Sequence, residues 1–247
     1  MDYKAEQQEK EILAARDPQL GAYMKRAGDL SWPLHEDLFA ALVYEILGQQ
    51  ISLIAAQAVR KRVREAIVPL TPRHVASCSI DELKALGMTA RKAEYIQTLA
   101  KDIENGSVNL EKLRDMDDQQ ALKYLLKIKG VGVWTAEMVL MFGLGRRDIF
   151  SWLDIAVRRG VMRIHHLDSI DEDTFEKYRK LYTPYGSTAS LYFWQASHDK
   201  ELAREVAEAM QAAKEMQDAS AKAETGPSND ENKTLASSQA PAGKPAQ

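Results

Sequence analysis

Leu125-Leu126-Lys127-Ile128-Lys129-Gly130-Val131-Gly132-Val133-Trp134-Thr135-Ala136-Glu137-Met138-Val139 is the stretch on which the fold turns. One helix ends near Lys127, a hairpin occupies 128–132, and a second helix opens near Val133. Gly130 and Gly132 allow a tight turn and a close backbone approach to a ligand. Val131, between them, is expected to plug into the core. Ala136 is small enough to let the two helices pack closely. The free amides at the opening of the second helix, together with its dipole, suit an anion such as a phosphate. Taken alone, a Gly-x-Gly at a helix start is also an ordinary turn.

Outward from the hairpin the chain reads as helix after helix. Leu38, Leu42 and Ile46, then Ile51, Ile54, Ala58 and Val63, recur mostly at three- to five-residue spacing. Residues 80–86 and 91–103 repeat the rhythm, 171–181 reads as a short amphipathic helix, and 185–216 reads as one long helix. Asp17-Pro18 marks a helix start, with Asp17 as the cap and Pro18 in the first turn. Turn signals lie at Gly28-Asp29, Asn105-Gly106, Gly143 to Gly145 and Pro184. Strand alternation is absent, so the expected class is all-α, with a helix-forming start and no β domain at either end. The helical domain is expected over 1–217. Residues 218–247 are rich in Ala, Ser, Pro and Lys, with Leu235 the only large aliphatic residue, and are expected as a disordered tail that cannot offset its ordering entropy.

Of the 247 residues, 45% are hydrophobic and 28% charged, which fits a soluble globule with a substantial core. A net charge of −3 gives no overall attraction to nucleic acid. Between Lys123 and Arg163, however, eight basic residues stand against three acidic ones, a balance that suits a phosphate-binding patch or a solvated face. Cys78 is the only cysteine, which excludes an intrachain disulfide and any four-cysteine zinc or iron–sulfur site. The first residues are polar, without a signal-peptide core, and the apolar run 139–144 is too short for a bilayer. An intracellular protein with no membrane partner is expected.

Four segments, in order, resemble the helix-hairpin-helix (HhH-GPD) DNA glycosylases, in particular the AlkA-type 3-methyladenine DNA glycosylase II branch. They are Ile46-Leu47-Gly48-Gln49-Gln50-Ile51-Ser52, Leu86-Gly87-Met88 with Arg91-Lys92-Ala93-Glu94-Tyr95, the hairpin through Ala136, and 148–159 around Asp154. The resemblance covers roughly 17–203. It implies a two-lobed helical fold with the active-site cleft between the lobes, and base excision repair of damaged purines in double-stranded DNA by a monomer in the bacterial cytoplasm or a nucleus. The lesions it implies are 3-methyladenine, 7-methylguanine and also hypoxanthine.

In that family the catalytic aspartate opens the helix some twenty residues past the hairpin, which places it at Asp154. Breaking a purine N-glycosidic bond leaves positive charge on the sugar, and a fixed carboxylate stabilises it. At about 3.5 Å and an effective dielectric near 20, the attraction is roughly 4–5 kcal/mol. Asp154 could also be only a helix cap, and Asp148 is a rival at the wrong spacing. Bifunctional relatives carry a lysine where this chain has Trp134, so the resemblance implies a monofunctional, water-using enzyme. Trp134, Met138 and Trp194 fall at the base pocket, where aromatic rings favour cationic alkylated purines. Met138 departs from the aromatic residue usual there. Gln50 takes the place of an apolar wedge that fills the gap left by a flipped base. Lys129, Gly130, Gly132 and Thr135 are assigned by resemblance to DNA contact. No cofactor and no side-chain metal site are expected, although hairpin carbonyls in the family often bind an alkali cation. His165-His166 reads as a solvated loop. The rival readings are a non-catalytic DNA-binding module, which would need no carboxylate at Asp154, and a glycosylase for oxidised guanine.

Overall fold

A computed structural model describes residues 2–35 and 37–224, with side chains through 216. Contacts group Met1–Ala203 into one compact unit and Arg204–Gln247 into another. The first unit is helical almost throughout, as the periodicity predicts. It opens, however, with a strand, β1 (Asp2–Lys4), followed by α1 (Gln7–Arg16), α2 (Pro18–Ala27) and a second strand, β2 (Ser31–Pro33). The strands pair antiparallel, with Tyr3 opposite Trp32. The expected helical start is therefore corrected to a short ribbon, held by tertiary contacts. Tyr3 is buried, its hydroxyl lies 3.1 Å from Thr188 Oγ1, and Arg147 lies over its ring at 4.2 Å.

Helices α3 (Leu38–Gly48), α4 (Leu53–Ala66), α5 (Pro72–Ser77), α6 (Ile80–Ala85), α7 (Ala90–Glu104) and α8 (Asp118–Leu125) follow, with a 3₁₀ turn at Leu110–Asp115. Nearly all start on a side-chain cap, which supplies acceptors to amides that have no helical partner. Asp17 accepts from the Leu20 amide, Asp37 from Ala40, Ser52 from Ala55 and Thr89 from Lys92. Next come α9 (Val133–Leu144), α10 (Ile155–Ile164), α11 (Glu172–Tyr182), α12 (Gly186–His198) and α13 (Lys200–Glu224).

The long helix expected over 185–216 is two helices. Asp199 breaks it, because its carboxylate accepts from the amides of Glu201 and Leu202 and so caps a new start. Helix α13 then runs to Glu224, past the point where disorder is expected. Five of the six residues of 219–224, three Ala with Lys222 and Glu224, have high helix propensity. The rest of the expected tail, 225–247, lies outside the described residues. Among the described residues, no helix is long and apolar enough to cross a membrane.

The expected solvated loop at His165-His166 is half corrected. His166 is exposed, but the His165 ring is buried. Its Nε2 lies 3.2 Å from Asp17 Oδ2, and the Tyr182 hydroxyl donates to the same oxygen at 2.6 Å. One aspartate thus caps α2 and ties it to α10 and α11.

Helices α10 and α12 cross closely at Gly160. A Cβ there would lie 2.0 Å from the Phe193 carbonyl oxygen and 2.7 Å from its Cα. Backbone cannot yield as a side-chain tip can. Gly160→Ala should therefore cost about 3 kcal/mol or more. Gly132→Ala, whose Cβ meets nothing within 4 Å, should cost about 1 kcal/mol as a helix cap. Urea denaturation of both variants checks the contrast, and equal midpoints would contradict it.

Candidate active site

Helix α8 ends, the chain turns through the hairpin, and α9 begins, as the glycine spacing predicts. Gly130 adopts φ 86°, and a Cβ on it would strike the Tyr95 ring at 2.3 Å. It must be glycine on both counts. Gly132 has an ordinary φ of −94° and faces open space, so its role is access rather than turning. Val131 is buried in the core and Ala136 is fully buried, as expected. Helix α9 has no side-chain cap at its start, which leaves the amides of Val133, Trp134 and Thr135 without helical acceptors. Lys129 is exposed beside them, 5.9 Å from the centre of the Tyr95 ring.

The loop 146–154 carries Asp154 and is pinned to the start of α12. Ser187 Oγ accepts from the Ile149 amide at 2.9 Å and donates to the Arg146 carbonyl at 2.7 Å. Ser190 Oγ donates to the Ile149 carbonyl, and the Gly186 amide donates to Asp148 Oδ1. Asp148 is thus engaged in holding a helix start. Phe150 stacks on Phe175 at 4.6 Å and anchors the loop from the other side.

Asp154 caps α10 and does more than cap. Its Oδ1 accepts from the amides of Ala156 at 2.8 Å and Val157 at 3.0 Å, and its Oδ2 accepts from Trp134 Nε1 at 2.9 Å. Only 7% of the residue is exposed. A carboxylate has about four lone-pair sites. Three are used here, and the fourth, on Oδ2, is free to face a reacting group.

The sequence-assigned pocket residues divide into two places along α9. Trp134, Met138 and Phe142 fall on one helical face, two turns or roughly 12 Å from first to last. Trp134 is at the Asp154 end. At the other end Trp194 stacks on Phe142 at 5.5 Å and meets Trp32 of β2 at 6.1 Å. Met138, between them, is buried in the core and presents almost no surface, so it backs the site rather than lining it. Sequence reasoning missed Trp32 and Phe142. Trp32 is 42% exposed and lies on a ribbon that no periodicity marks.

Two further assignments change. Thr135 is buried and its hydroxyl oxygen accepts from Gln49 Nε2, so only its backbone amide, not its side chain, remains to meet DNA. Half of the basic stretch is committed to structure. Arg146 donates to the carbonyls of Leu113 and Met116, Arg147 pairs with Glu9, Arg163 donates to the carbonyls of Ala196 and Ser197, and Arg158 packs over Trp152 at 4.4 Å. Lys123, Lys127, Lys129 and Arg159 remain on the surface. Gln50 is exposed at φ 57°, at the tip of the turn between α3 and α4.

A second carboxyl group sits behind Asp154. Glu137 is pushed above the usual carboxylate range, first by burial and also by the Asp154 charge. Ser151 and Arg179 pull the other way. The Ser151 hydroxyl lies close, yet neither its Oγ nor Glu137 Oε2 completes a well-aligned hydrogen bond among the described residues. No described cluster of His, Cys, Asp or Glu could hold a metal ion.

Residues 43–184 match the family model described as the HhH-GPD superfamily base excision DNA repair protein. Bacillus subtilis YfjP is 37% identical over 126 residues, which are 51% of this chain and 44% of that protein. The chain therefore spans less than half the length of that curated relative. A DNA-3-methyladenine glycosylase of Bacillus subtilis is 30% identical, over 64% of this chain and 57% of that protein. The solved DNA-3-methyladenine glycosidase of Bacillus halodurans superposes with a TM-score of 0.68 at 30% identity, over 80% of this chain and 93% of that one. Schizosaccharomyces pombe Mag1, solved with abasic DNA, gives 0.72 at 23% identity over 78% and 100%, a likeness of fold.

Glu137 makes a prediction about stability. The folded state keeps its proton to higher pH than the unfolded chain does. Stability is therefore lost as pH rises from the ordinary glutamate range through the raised value. Glu137→Gln removes that loss. The variant should gain thermal stability relative to wild type at pH 8 and not at pH 4. A difference independent of pH would contradict the raised protonation of the group.

Proposed function

The chain belongs to the HhH-GPD superfamily of base excision DNA repair proteins, and from that membership we propose that it is a monofunctional DNA glycosylase for alkylated purines. Its substrates are 3-methyladenine and 7-methylguanine in duplex DNA, with hypoxanthine as a further lesion, and it works as a monomer in whichever compartment holds the DNA. The observation that carries the reading is the bound geometry of Asp154. Its carboxylate is buried, fixed by three N–H donors, and left with one free lone pair. The names of the glycosylases it resembles support the same reading.

The chemistry follows from that carboxylate. As the bond from sugar C1′ to the purine nitrogen lengthens, its electron pair leaves with the base. A cationic alkylated purine departs neutral, so the leaving group needs no proton. The positive charge left on the sugar faces Asp154 Oδ2. Water adds at C1′ and loses its proton to Asp154 or solvent. Trp134 stands where a Schiff base would need an amine, so the strand is left uncut. The Trp194 and Trp32 rings, backed by buried Phe142, take the flipped base, and their faces favour a cation.

DNA is held by the three free amides opening α9 and by Lys129, with Gln50 in the gap left by the base. Exposed Ile54, Val133, Leu153 and Ile155 flank these contacts and suit the apolar faces of sugars. An alkali cation on the hairpin would use carbonyls such as Ile128 and Gly130. Each already accepts one hydrogen bond and keeps a second lone pair.

Asp154→Asn should abolish base release in single-turnover assays on duplexes with one defined lesion, a loss of about a thousandfold, while abasic-DNA binding persists. Near wild-type release would refute the assignment. Borohydride should trap no covalent complex.

Because half of the basic stretch is committed to structure, affinity should fall with salt less steeply than its eight cations would imply. Lys129→Ala should reduce the slope of log affinity against log salt by about one. An unchanged slope would remove Lys129 from the phosphate.

A further inference from the structure

Gln50 does not stand alone in its turn. The Lys92 ammonium, on α7, donates to the carbonyls of Leu47 at 2.8 Å and Gln49 at 2.7 Å. These lie at the end of α3, where carbonyls lack helical partners and the dipole favours a cation. The side chain of Gln49 reaches the other way. Its Nε2 donates to the Gly130 carbonyl and to Thr135 Oγ1, both at 2.9 Å. A carbonyl can only accept, which settles which end of the amide faces it. Both N–H bonds of one amide are thus spent on the hairpin, one on the left-handed glycine and one on the first turn of α9. One side chain joins the turn that presents Gln50 to the hairpin that presents the free amides.

The turn needs such a hold. Gln50 carries a Cβ at φ 57°, a conformation that persists only where its surroundings impose it. Lys92 holds the carbonyl side of the turn, and Gln49 fixes where the turn stands relative to the hairpin. We propose that Gln49 is a positioning residue that couples the two DNA contacts, so that a phosphate seated on the hairpin sets Gln50 for insertion, and insertion in turn firms the hairpin. The coupling rests on the glycosylase reading above. It is reciprocal, as any linkage between two binding contacts must be.

The test is a double-mutant cycle, run by fluorescence anisotropy on an abasic-analogue duplex and on an undamaged one. Gln50→Ala and Lys129→Ala are measured singly and together, in the wild-type background and in Gln49→Met, which keeps the length of the side chain and removes both donors. In the wild-type background the double variant should lose less affinity than the product of the single losses, by about fivefold. In Gln49→Met the losses should multiply. A residue that merely stabilised the fold would lower the thermal midpoint without changing this non-additivity. Should Gln49→Met not fold, Thr135→Val removes one of the two bonds and should reduce the coupling in part. Losses that multiply in the wild-type background, or non-additivity that survives in both variants, would overturn the coupling and leave the glycosylase reading standing. A wild-type protein with no preference for the abasic duplex and no base release would overturn both.

Discussion

A carboxylate taken out of water is costly unless donors replace the water. Asp154 meets that condition with two backbone amides and the Trp134 indole. The indole bond matters most, because it is the one that leaves the local chain. It joins the hairpin helix α9 to the loop before α10 and so sets the distance between the uncapped amides of α9 and the acid. The backbone bonds alone would orient the carboxylate relative to α10 and nothing else.

Around that bond the structure repeats one device, a polar side chain that crosses between elements to satisfy a backbone group. Ser187 and Ser190 pin the loop to α12, and Gln49 pins the turn at Gln50 to the hairpin. Lys92 and the arginines at 146 and 163 hold carbonyls at element ends. Each is a charged or polar group drawn from surface duty into architecture. What remains exposed around the hairpin and Asp154 is therefore less basic than the sequence count and more apolar, with Ile54, Val133, Leu153 and Ile155 exposed. Contact with sugars and a few amides, more than a field of charge, is what such a face offers.

The hairpin, the cap at Asp17 and most helices were legible in the sequence because each rests on local rules, whereas the helix start at Asp154 came from the resemblance. Helical period, glycine placement and capping act over a few residues. What was hidden depends on partners far along the chain. Nothing near Tyr3 announces Thr188, and nothing near His165 announces Asp17. Thr135 reads as a surface residue at a helix start, and only the fold brings Gln49 onto its hydroxyl. Asp199 was locally readable as a cap, yet the apolar rhythm on either side masked the break it makes. The basic stretch did not show which four of its eight cations the fold would engage, because a count of charges carries no direction. Trp32 was missed because a three-residue strand has no period to detect.

The left-handed backbone at Gln50 bears on which residues could ever occupy the tip. A positive φ is strongly disfavoured for side chains branched at Cβ. Isoleucine, valine and threonine are therefore strongly disfavoured at this position by the chain itself, whatever the tip contacts. Unbranched residues such as glutamine, leucine, asparagine and histidine pass the same filter more easily. The tip can thus exchange a polar side chain for an apolar one, but only within a vocabulary that the turn has already restricted.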